Sequence, residues 1–286
     1  MSTEPPTRIA IEVGQRRPYD LEVTRQDLEI RGLPKSLYGA VFAHISDIHG
    51  GFAGLEPVYE EAVRQVSAAE PDYVFFTGDF IDRRTDDPHY PIVDLLRSFR
   101  ARRDVFGCLG NHDHKRGKVL TRKLLERAGV QLLVNESVRL EDGLCIAGID
   151  DMHEGEPDLL RTFSGLPPDR TSIVLSHNPR LIEQMTGQDV VILSGHTHGA
   201  QFRFRFPPPA VICYVHLRVK QVAGWYLRGA SRLYVNRGLG VTGKPFRYNC
   251  PAEIGLFRMV PHPADIQRDH DSGLRQDERA TAGAAH

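Results

Sequence analysis

The chain has 286 residues, enough for one large α/β domain, and 41% of them are hydrophobic, which is ordinary for a globular core. The formal net charge is −1, so composition gives no reason to expect a nucleic-acid partner. Three of the four cysteines lie in apolar runs and none forms a Cys-x-x-Cys pair: Cys108, Cys145, Cys213 and Cys250. We expect reduced core cysteines in a cytoplasmic protein.

The N-terminus lacks a basic region followed by an apolar stretch, so no secretory signal is predicted. No apolar run reaches the about 18 residues of a spanning helix. We therefore expect a cytoplasmic protein, either free or peripheral to the inner face of the membrane. The predicted organisation is an N-terminal extension over 1–38 with an edge strand at 21–30, one domain over 39–260, and a disordered tail over 261–286.

Strand-like and helix-like segments alternate three times in the first half. Apolar runs typical of buried strands occupy 40–45, 73–76 and 105–109, and helical periodicity follows at 55–69, 92–99 and 119–128. This order predicts a parallel sheet with crossover helices. Closely spaced strands at 130–134, 137–140 and 144–149 then indicate antiparallel pairing. A short helix near Leu159 and strands at 172–175, 190–193, 233–235 and 254–257 complete the prediction.

Five of these strands end in residues that commonly bind metals. They are Asp47 with His49, Asp79, Asn111 with His112, His177, and His196 with His198. Each taken alone has an ordinary explanation as a helix cap, a turn residue or a core histidine. Their shared position favours one site instead, because open α/β sheets bind ligands at the carboxyl ends of their strands.

The types of side chain indicate which metals would bind. Carboxylate or amide oxygens from three residues and imidazoles from four suit Mn²⁺, Fe²⁺ or Zn²⁺. A closed structural zinc site is disfavoured because the set contains no thiolate. Seven ligands are too many for one ion but suit two that share a carboxylate. Two ions about 3.5–4 Å apart can activate water and stabilise a phosphoryl centre, so the pattern predicts hydrolysis of phosphate esters.

These segments resemble the motif set of the calcineurin-like metallophosphoesterase superfamily: Asp47-x-His49, Gly78-Asp79, Gly110-Asn111-His112-Asp113, His177 and Gly195-His196-x-His198. Residues 195–201 and 236–240 further resemble the bacterial YkuE/YaeI-type phosphodiesterase branch, which usually has Gly where this chain has Ala200. The resemblance implies a four-layer α/β/β/α fold, in which two mixed β-sheets pack as a sandwich flanked by helices.

The resemblance also implies a role for each residue. Asp47, His49 and His198 would hold the first metal, Asp79 would bridge, and the second metal would be held by Asn111, His177 and His196. His112 would face the phosphate and protonate the leaving oxygen, and Asp113 would orient His112 unless it only caps a helix. The nucleophile would be a hydroxide that bridges the two ions, so no covalent intermediate is required.

The implied activity is hydrolysis of a phosphodiester or pyrophosphate bond in a small molecule. Relatives in this branch include phosphodiesterases and UDP-diacylglucosamine pyrophosphatases, so the substrate would be a lipid-linked or nucleotide phosphoester. The alternatives are a phosphomonoesterase, an enzyme like the protein Ser/Thr phosphatases, and a metal-dependent scaffold without catalysis. The Ser/Thr phosphatase branch has Glu where this chain has Asp113, and the presence of His112 argues against a scaffold.

Phenylalanine and arginine alternate from Phe202 to Phe206, within residues 201–228. One interpretation is an edge strand with one solvated face. The other is an apolar and cationic lip that accepts a lipid or nucleoside tail, or that touches anionic membrane lipids.

Overall fold

The computed structural model describes residues 7–13, 16–82, 91–244 and 246–268. Within these residues, two mixed β-sheets pack face to face and helices cover their outer faces. The predicted four-layer α/β/β/α arrangement is therefore confirmed.

The first sheet has seven strands. In spatial order they are β1 (Thr7–Val13), β2 (Arg16–Ile30), β13 (Ala252–Pro261), β3 (Val41–Ile45), β4 (Tyr73–Thr77), β5 (Asp104–Cys108) and β6 (Gln131–Leu132). Strands β3 to β6 are parallel, as the alternation of strands and helices predicted. Strand β13 runs antiparallel to β3 and parallel to β2, which makes the sheet mixed.

The second sheet has six strands. In spatial order they are β11 (Gly224–Arg228), β12 (Ser231–Val235), β10 (Val190–Ser194), β9 (Ser172–Leu175), β8 (Cys145–Gly148) and β7 (Glu136–Arg139). The four central strands are parallel, and an antiparallel strand closes each edge. Parallel strands aim their carboxyl ends at one edge of the sheet, where the sequence has placed its polar residues.

Helices α1 (Glu56–Ala69), α2 (Ile92–Ser98) and α3 (Asn111–Ala128) cover the outer face of the seven-stranded sheet. Helix α1 buries Val58, Tyr59, Ala62 and Val66, the apolar stripe that its periodicity predicted. Helix α4 (Leu159–Ser164) packs against β7 and β8. Helix α5 (Pro209–Leu217) packs against the short turn at His198–Ala200.

Strand residues alternate between the layers because successive side chains of a strand point to opposite faces. In β4, Tyr73 and Phe75 enter the core between the two sheets, whereas Val74 and Phe76 enter the core beneath the helices. Burial of such a side chain contributes roughly 1.5–3 kcal/mol. Because both faces of these strands are buried, their sequences are continuous apolar runs. Their polar residues are therefore confined to the ends of the strands.

One strand prediction was wrong, and another covered only part of a strand. The strand predicted at 21–30 is the second part of the longer β2. It pairs with β13 throughout, whereas β1 covers its other side only as far as Val23, so residues 24–30 lie at the edge of the sheet. Strand β1 has a mixed sequence, Thr-Arg-Ile-Ala-Ile-Glu-Val, whose apolar patch is too short to predict a strand. Strand β6 does not pair with β7, because it continues the first sheet beside β5. The antiparallel pairing predicted for this region is limited to β7 and β8.

The predicted start of the disordered tail was also wrong. Pro261 ends β13 and residues 263–268 are helical. The backbone N–H of Gly32 donates to Asp265 at 2.7 Å, which ties this segment to the β2–β3 connection. The rest of the predicted tail, residues 269–286, lies outside the described residues. In the part of the chain that the structure covers, no helix combines the length and apolar character needed to cross a membrane.

Candidate metal centre

The seven predicted metal ligands follow five parallel strands, and the structure brings all seven together. Asp47 and His49 follow β3, Asp79 follows β4, Asn111 begins α3 after β5, and the second sheet contributes His177 after β9 with His196 and His198 after β10. Backbone hydrogen bonds join neighbouring loops, for example from the N–H of Asp47 to the carbonyl of Gly78 at 3.1 Å. The ends of both sheets therefore form a single polar cluster.

A first group of ligand atoms lies around Asp47. Nε2 of His49 and Nε2 of His198 are 3.0 Å apart. Oδ1 of Asp47 is 3.3 Å from Nε2 of His198, and Oδ2 of Asp79 is 3.5 Å from Nε2 of His49. These four side chains converge on one small volume.

A second group lies on the other side of Asp79. Oδ2 of Asp79 is 3.2 Å from Nε2 of His177, which is itself 3.1 Å from Oδ1 of Asn111. Nδ1 of His196 is 2.9 Å from the same Asn111 oxygen and 3.1 Å from Nε2 of His177. The same oxygen of Asp79 thus contacts both groups.

This donor set fits divalent cations. Asp47, His49 and His177 are fully buried, and pairs of imidazole nitrogens face each other about 3 Å apart beside carboxylates. Such a buried arrangement is costly unless a cation or a shared proton lies between the nitrogens. Among the described residues, three clusters of potential ligands form: Asp47 with His49 and His198, Asp47 with Asp79 and His177, and His49 with Asp82 and His112. The described residues can therefore bind metal ions.

Charge pairing shapes the pKa values in the centre. Burial favours the neutral form of Asp47, but His198 and His49 outweigh it and hold the pKa of this carboxyl well below its usual range. Burial would also lower the pKa of His49, yet Asp47 and Asp82 raise it to about 9. Burial and the neighbouring His177 together lower the pKa of His196 to about 4.

Neighbouring acceptors orient two of the imidazoles. Nδ1 of His177 donates to the carbonyl oxygen of Thr77 at 2.7 Å. Nδ1 of His49 lies 3.2 Å from Oδ2 of Asp82. A proton held on Nδ1 leaves the lone pair of Nε2 free to bind a cation, which is how outer carboxylates and carbonyls tune metal ligands.

His112 lies next to the first group without joining it. Its ring meets the ring of His49 edge-on, with centroids 4.7 Å apart, and its Nδ1 is 3.3 Å from Oδ2 of Asp82. Its backbone N–H donates to Oδ1 of Asp79 at 2.8 Å. The side chain is 16% exposed, whereas those of His49 and Asp82 are buried. His112 can therefore meet a substrate that approaches from solvent.

Asp82 is a site residue that the sequence analysis missed. One carboxylate oxygen faces both His49 and His112, three residues after Asp79 in the same turn. The available signal was a second acidic residue in the segment Gly78-Asp79-Phe80-Ile81-Asp82, but spacing alone did not show where it pointed.

Asp113 occupies the helix-cap position that the sequence offered as the alternative to orienting His112. Its carboxylate accepts from the backbone N–H groups of Asp79, Phe80 and Gly110 at 2.8, 3.0 and 2.8 Å. As the third residue of α3 it caps the start of the helix and fixes the turn after β4. Burial and the nearby Asp79 raise the pKa of Asp113 to about 7. The carboxylate that the structure places against His112 is that of Asp82.

Loops behind the ligands hold Asp47 in place. The N–H of Gly240 donates to the carbonyl of Asp47 at 2.7 Å. A Cβ on Gly238, whose φ is +73°, would lie 2.6 Å from Cβ of Asp47, and one on Gly195 would lie 2.0 Å from its Oδ2. The segment Asn236–Gly240 therefore needs glycine to pack directly beneath the first group of ligands.

Arg247 joins two of these loops and was also missed. Its guanidinium donates to the carbonyl oxygens of His198, Gly238 and Gly240 at 3.2, 3.0 and 2.6 Å. Ala200, where the resembling branch usually has Gly, adopts a left-handed φ of +69°. That conformation explains the preference for Gly at this position.

A sequence profile of the calcineurin-like phosphoesterases matches residues 40–200, more than half of the chain. The chain belongs to the calcineurin-like phosphoesterase family. This confirms the resemblance inferred from the motifs. It identifies the chain as a metallophosphoesterase, whose clustered histidines and aspartates are the residues able to bind metal.

Relatives of this metallophosphoesterase cover most of its length. The uncharacterized metallophosphoesterase YkuE of Bacillus subtilis is 32% identical over 250 residues, covering 85% of this chain and 86% of YkuE. The UDP-2,3-diacylglucosamine pyrophosphatase LpxG of Chlamydia muridarum is 27% identical over 306 residues, which cover 86% of this chain and 91% of LpxG. Among solved structures, the NAD nucleotidase NadN of Haemophilus influenzae matches with a TM-score of 0.44 and 15% identity, over 70% of this chain and 45% of NadN.

Proposed function

We propose that this metallophosphoesterase hydrolyses phosphodiester or pyrophosphate bonds with two divalent metal ions bound at the metal centre. The observation that carries the proposal is the position of Asp79. Its Oδ2 lies 3.5 Å from Nε2 of His49 and 3.2 Å from Nε2 of His177, so one oxygen joins two ligand groups. A shared carboxylate is the expected feature of a dinuclear centre.

Each ion has its own set of protein ligands in this proposal. Asp47, His49 and His198 hold the first, Asp79 is shared, and the second is held by Asn111, His177 and His196. The mixture of oxygen and imidazole donors suits Mn²⁺, Fe²⁺ or Zn²⁺. When bound, such ions lower the pKa of a water molecule and neutralise charge on a phosphoryl group.

His112 supplies the proton for the leaving oxygen. Its Nδ1 lies 3.3 Å from Oδ2 of Asp82, and this carboxylate holds the ring in one orientation. Nε2 is then the nitrogen available to a substrate, and the ring is partly exposed to solvent. The orienting role that the resemblance implied for Asp113 belongs to Asp82 in this mechanism, while Asp113 fixes the backbone of Asp79.

The similarity to the pyrophosphatase LpxG extends over 86% of this chain. It supports a lipid-linked nucleotide as the substrate. UDP-diacylglucosamine is the compound to test first. Hydrolysis of its pyrophosphate bond would release UMP, which mass spectrometry measures directly. Release of UMP from this compound but not from short-chain nucleotide sugars would support the lipid-linked class, and the reverse preference would contradict it.

The general proposal is tested with bis(p-nitrophenyl) phosphate, and p-nitrophenyl phosphate serves as the monoester comparison. We expect Mn²⁺-stimulated hydrolysis of the diester that a chelator abolishes. His112→Ala is expected to lower turnover by about 10²- to 10⁴-fold, the usual contribution of a general acid. Because His112 lies outside both ligand groups, the variant should still bind two metal ions per chain. Absence of metal-stimulated turnover in the wild-type protein would refute the proposed activity.

A further inference from the structure

The segment from residue 201 to 250 is basic without acidic counterparts. It contains nine Lys and Arg residues and no Asp or Glu, although the net charge of the whole chain is −1. A segment of one charge sign attracts anionic surfaces. It begins three residues after the metal ligand His198, and Arg247 within it donates to the carbonyl of His198 at 3.2 Å. The basic segment is therefore attached to the metal centre.

Exposed aromatic rings concentrate in the same segment. We define the aromatic lobe as residues 201–206 and 246–248. Of the five exposed aromatic side chains among the described residues, four belong to the lobe: Phe204 is 49% exposed, Phe206 86%, Phe246 50% and Tyr248 41%. Clustered apolar side chains on a surface mark an interaction site far more often than isolated ones do.

The aromatic lobe has a defined internal structure. The amide of Gln201 donates to the carbonyl of Phe246 at 3.0 Å, and the N–H of Tyr248 donates to the carbonyl of Gln201 at 3.0 Å. Phe204 stacks on Tyr248 with ring centroids 5.1 Å apart, and Phe202 meets Phe246 at 5.0 Å. Hydrogen bonds and ring packing thus hold Phe204, Phe246 and Tyr248 in a defined arrangement.

A cavity of about 440 Å³ lies beside the lobe and is lined in part by Arg203, Arg205 and Arg237. Arg237 is neutralised by Glu22 at 2.6 Å and Glu253 at 3.0 Å. Within the described part of the chain, the structure gives Arg203 and Arg205 no carboxylate partner. Two unpaired guanidinium groups at the mouth of a cavity suit a phosphate anion.

We propose that the aromatic lobe docks the protein on an anionic phospholipid bilayer, with its rings in the headgroup region and Arg203 and Arg205 on lipid phosphates. Surfaces of this kind combine aromatic side chains with basic ones. Helix α5 favours lipid over nucleic acid, because its nine residues contain no Lys or Arg and expose Val211, a side chain that cannot stack on a base. The docking role goes beyond the proposed hydrolysis and does not depend on it.

The test is co-sedimentation of the full chain with vesicles of phosphatidylcholine alone, or of phosphatidylcholine and phosphatidylglycerol in equal parts. The wild-type protein is expected to bind the anionic vesicles, and added salt should weaken binding. The double variant Phe204→Ser/Phe206→Ser should bind at least about tenfold more weakly, because two exposed rings no longer enter the interface. Arg205→Glu should bind about 30-fold more weakly, because it removes one favourable charge and adds a repelling one.

Two matched controls carry the same types of change elsewhere. Leu160→Ser removes an exposed apolar side chain on α4, which packs against β7 at the opposite edge of the second sheet from β11. Lys123→Glu reverses an exposed charge on α3. Both are expected to bind vesicles like the wild-type protein. Turnover of the soluble diester and thermal melting show that each variant is folded, so failure of docking is distinguishable from failure of the proposed activity.

A second measurement reports directly on the rings. Phe206→Trp places an indole at the most exposed position of the lobe, and bromine-labelled lipid should quench its emission beyond any quenching of Trp225 in the wild-type protein. Three outcomes would overturn the proposal. The first is that the wild-type protein does not bind anionic vesicles. The second is that the lobe variants bind these vesicles as well as the controls do. The third is that the lobe variants keep vesicle binding and lose binding to a single-stranded oligonucleotide.

Discussion

Replacement of Asp82 by Asn is expected to weaken both metal binding and turnover, because one carboxylate oxygen faces two rings. Oδ2 lies 3.2 Å from Nδ1 of His49, a ligand of the first ion, and 3.3 Å from Nδ1 of His112, the proposed proton donor. The amide has nearly the same size but lacks the charge. Loss of an outer carboxylate that orients such a ring typically costs about 10- to 100-fold in metal affinity or activity.

The assay measures metal content and diester hydrolysis over a titration with Mn²⁺. Asp82→Asn should require about 10- to 100-fold more metal for half-maximal turnover, since loss of an outer carboxylate weakens metal sites by this amount. Turnover should stay about 10- to 100-fold low at saturating Mn²⁺, because His112 still lacks its partner. Full turnover at saturating metal would refute the contact with His112.

Asp113→Asn is the matched control, because it makes the same chemical change at a different buried carboxylate. The carboxylate of Asp113 accepts hydrogen bonds from the backbone N–H groups of Asp79, Phe80 and Gly110. We expect it to lower the melting temperature, with turnover restored by saturating Mn²⁺. If Asp113→Asn instead kept low turnover at saturating metal while Asp82→Asn recovered, the orienting residue would be Asp113 and our assignment would be wrong.

Three further substitutions test other contacts. Asp79→Ala should remove both ions and abolish turnover, and a variant that still holds two metals per chain would exclude a bridging role. Gly238→Ala should cost about 1–3 kcal/mol of stability and weaken metal binding, because its Cβ would lie 2.6 Å from that of Asp47; calorimetry with metal titration measures both. Asp150→Asn should lower stability at pH 7 by about 2–3 kcal/mol, because Asp150 binds His114 and Lys118 at 2.7 and 2.8 Å. Burial would raise the pKa of Asp150, but these partners hold it below its usual value, so the stabilisation is present above about pH 4 and the difference from wild type should vanish as the pH falls further.

The positions of the metal ligands could be predicted because they depend on topology. Parallel strands place their carboxyl ends at one edge of each sheet, and the two sheets pack so that His177 after β9 meets Asp79 after β4. The apolar runs that precede them show that these strands are covered on both faces, and only their ends remain for polar residues. The packing of two sheets, which brings their ligands together, was implied by the family resemblance and not by strand direction.

Contacts that depend on the path of a turn could not be predicted. Asp82 reaches His49 and His112 only because the turn after β4 directs its side chain back toward β3 and α3. Arg247 binds carbonyl oxygens, which every residue possesses, so no sequence pattern identifies its partners. The sequence left Asp113 with two possible roles, orienting His112 or capping the helix, for the same reason: its partners are backbone N–H groups.

The backbone at the ligands explains why these loops need so much support. Five of the seven ligands adopt left-handed conformations, with φ between +46° and +72°: Asp47, His49, Asp79, His196 and His198. Such a conformation costs roughly 1–2 kcal/mol for a residue with a Cβ, although Asp and His tolerate it better than bulkier residues. The cost is offset by hydrogen bonds that fix the loops from outside. The Asp113 carboxylate accepts from the backbone N–H of Asp79, and the Arg247 guanidinium donates to the carbonyl of His198. These loops hold the imidazole nitrogens of the ligands about 3 Å apart. Substitution of Asp113 or Arg247, which do not bind metal themselves, should therefore lower metal affinity.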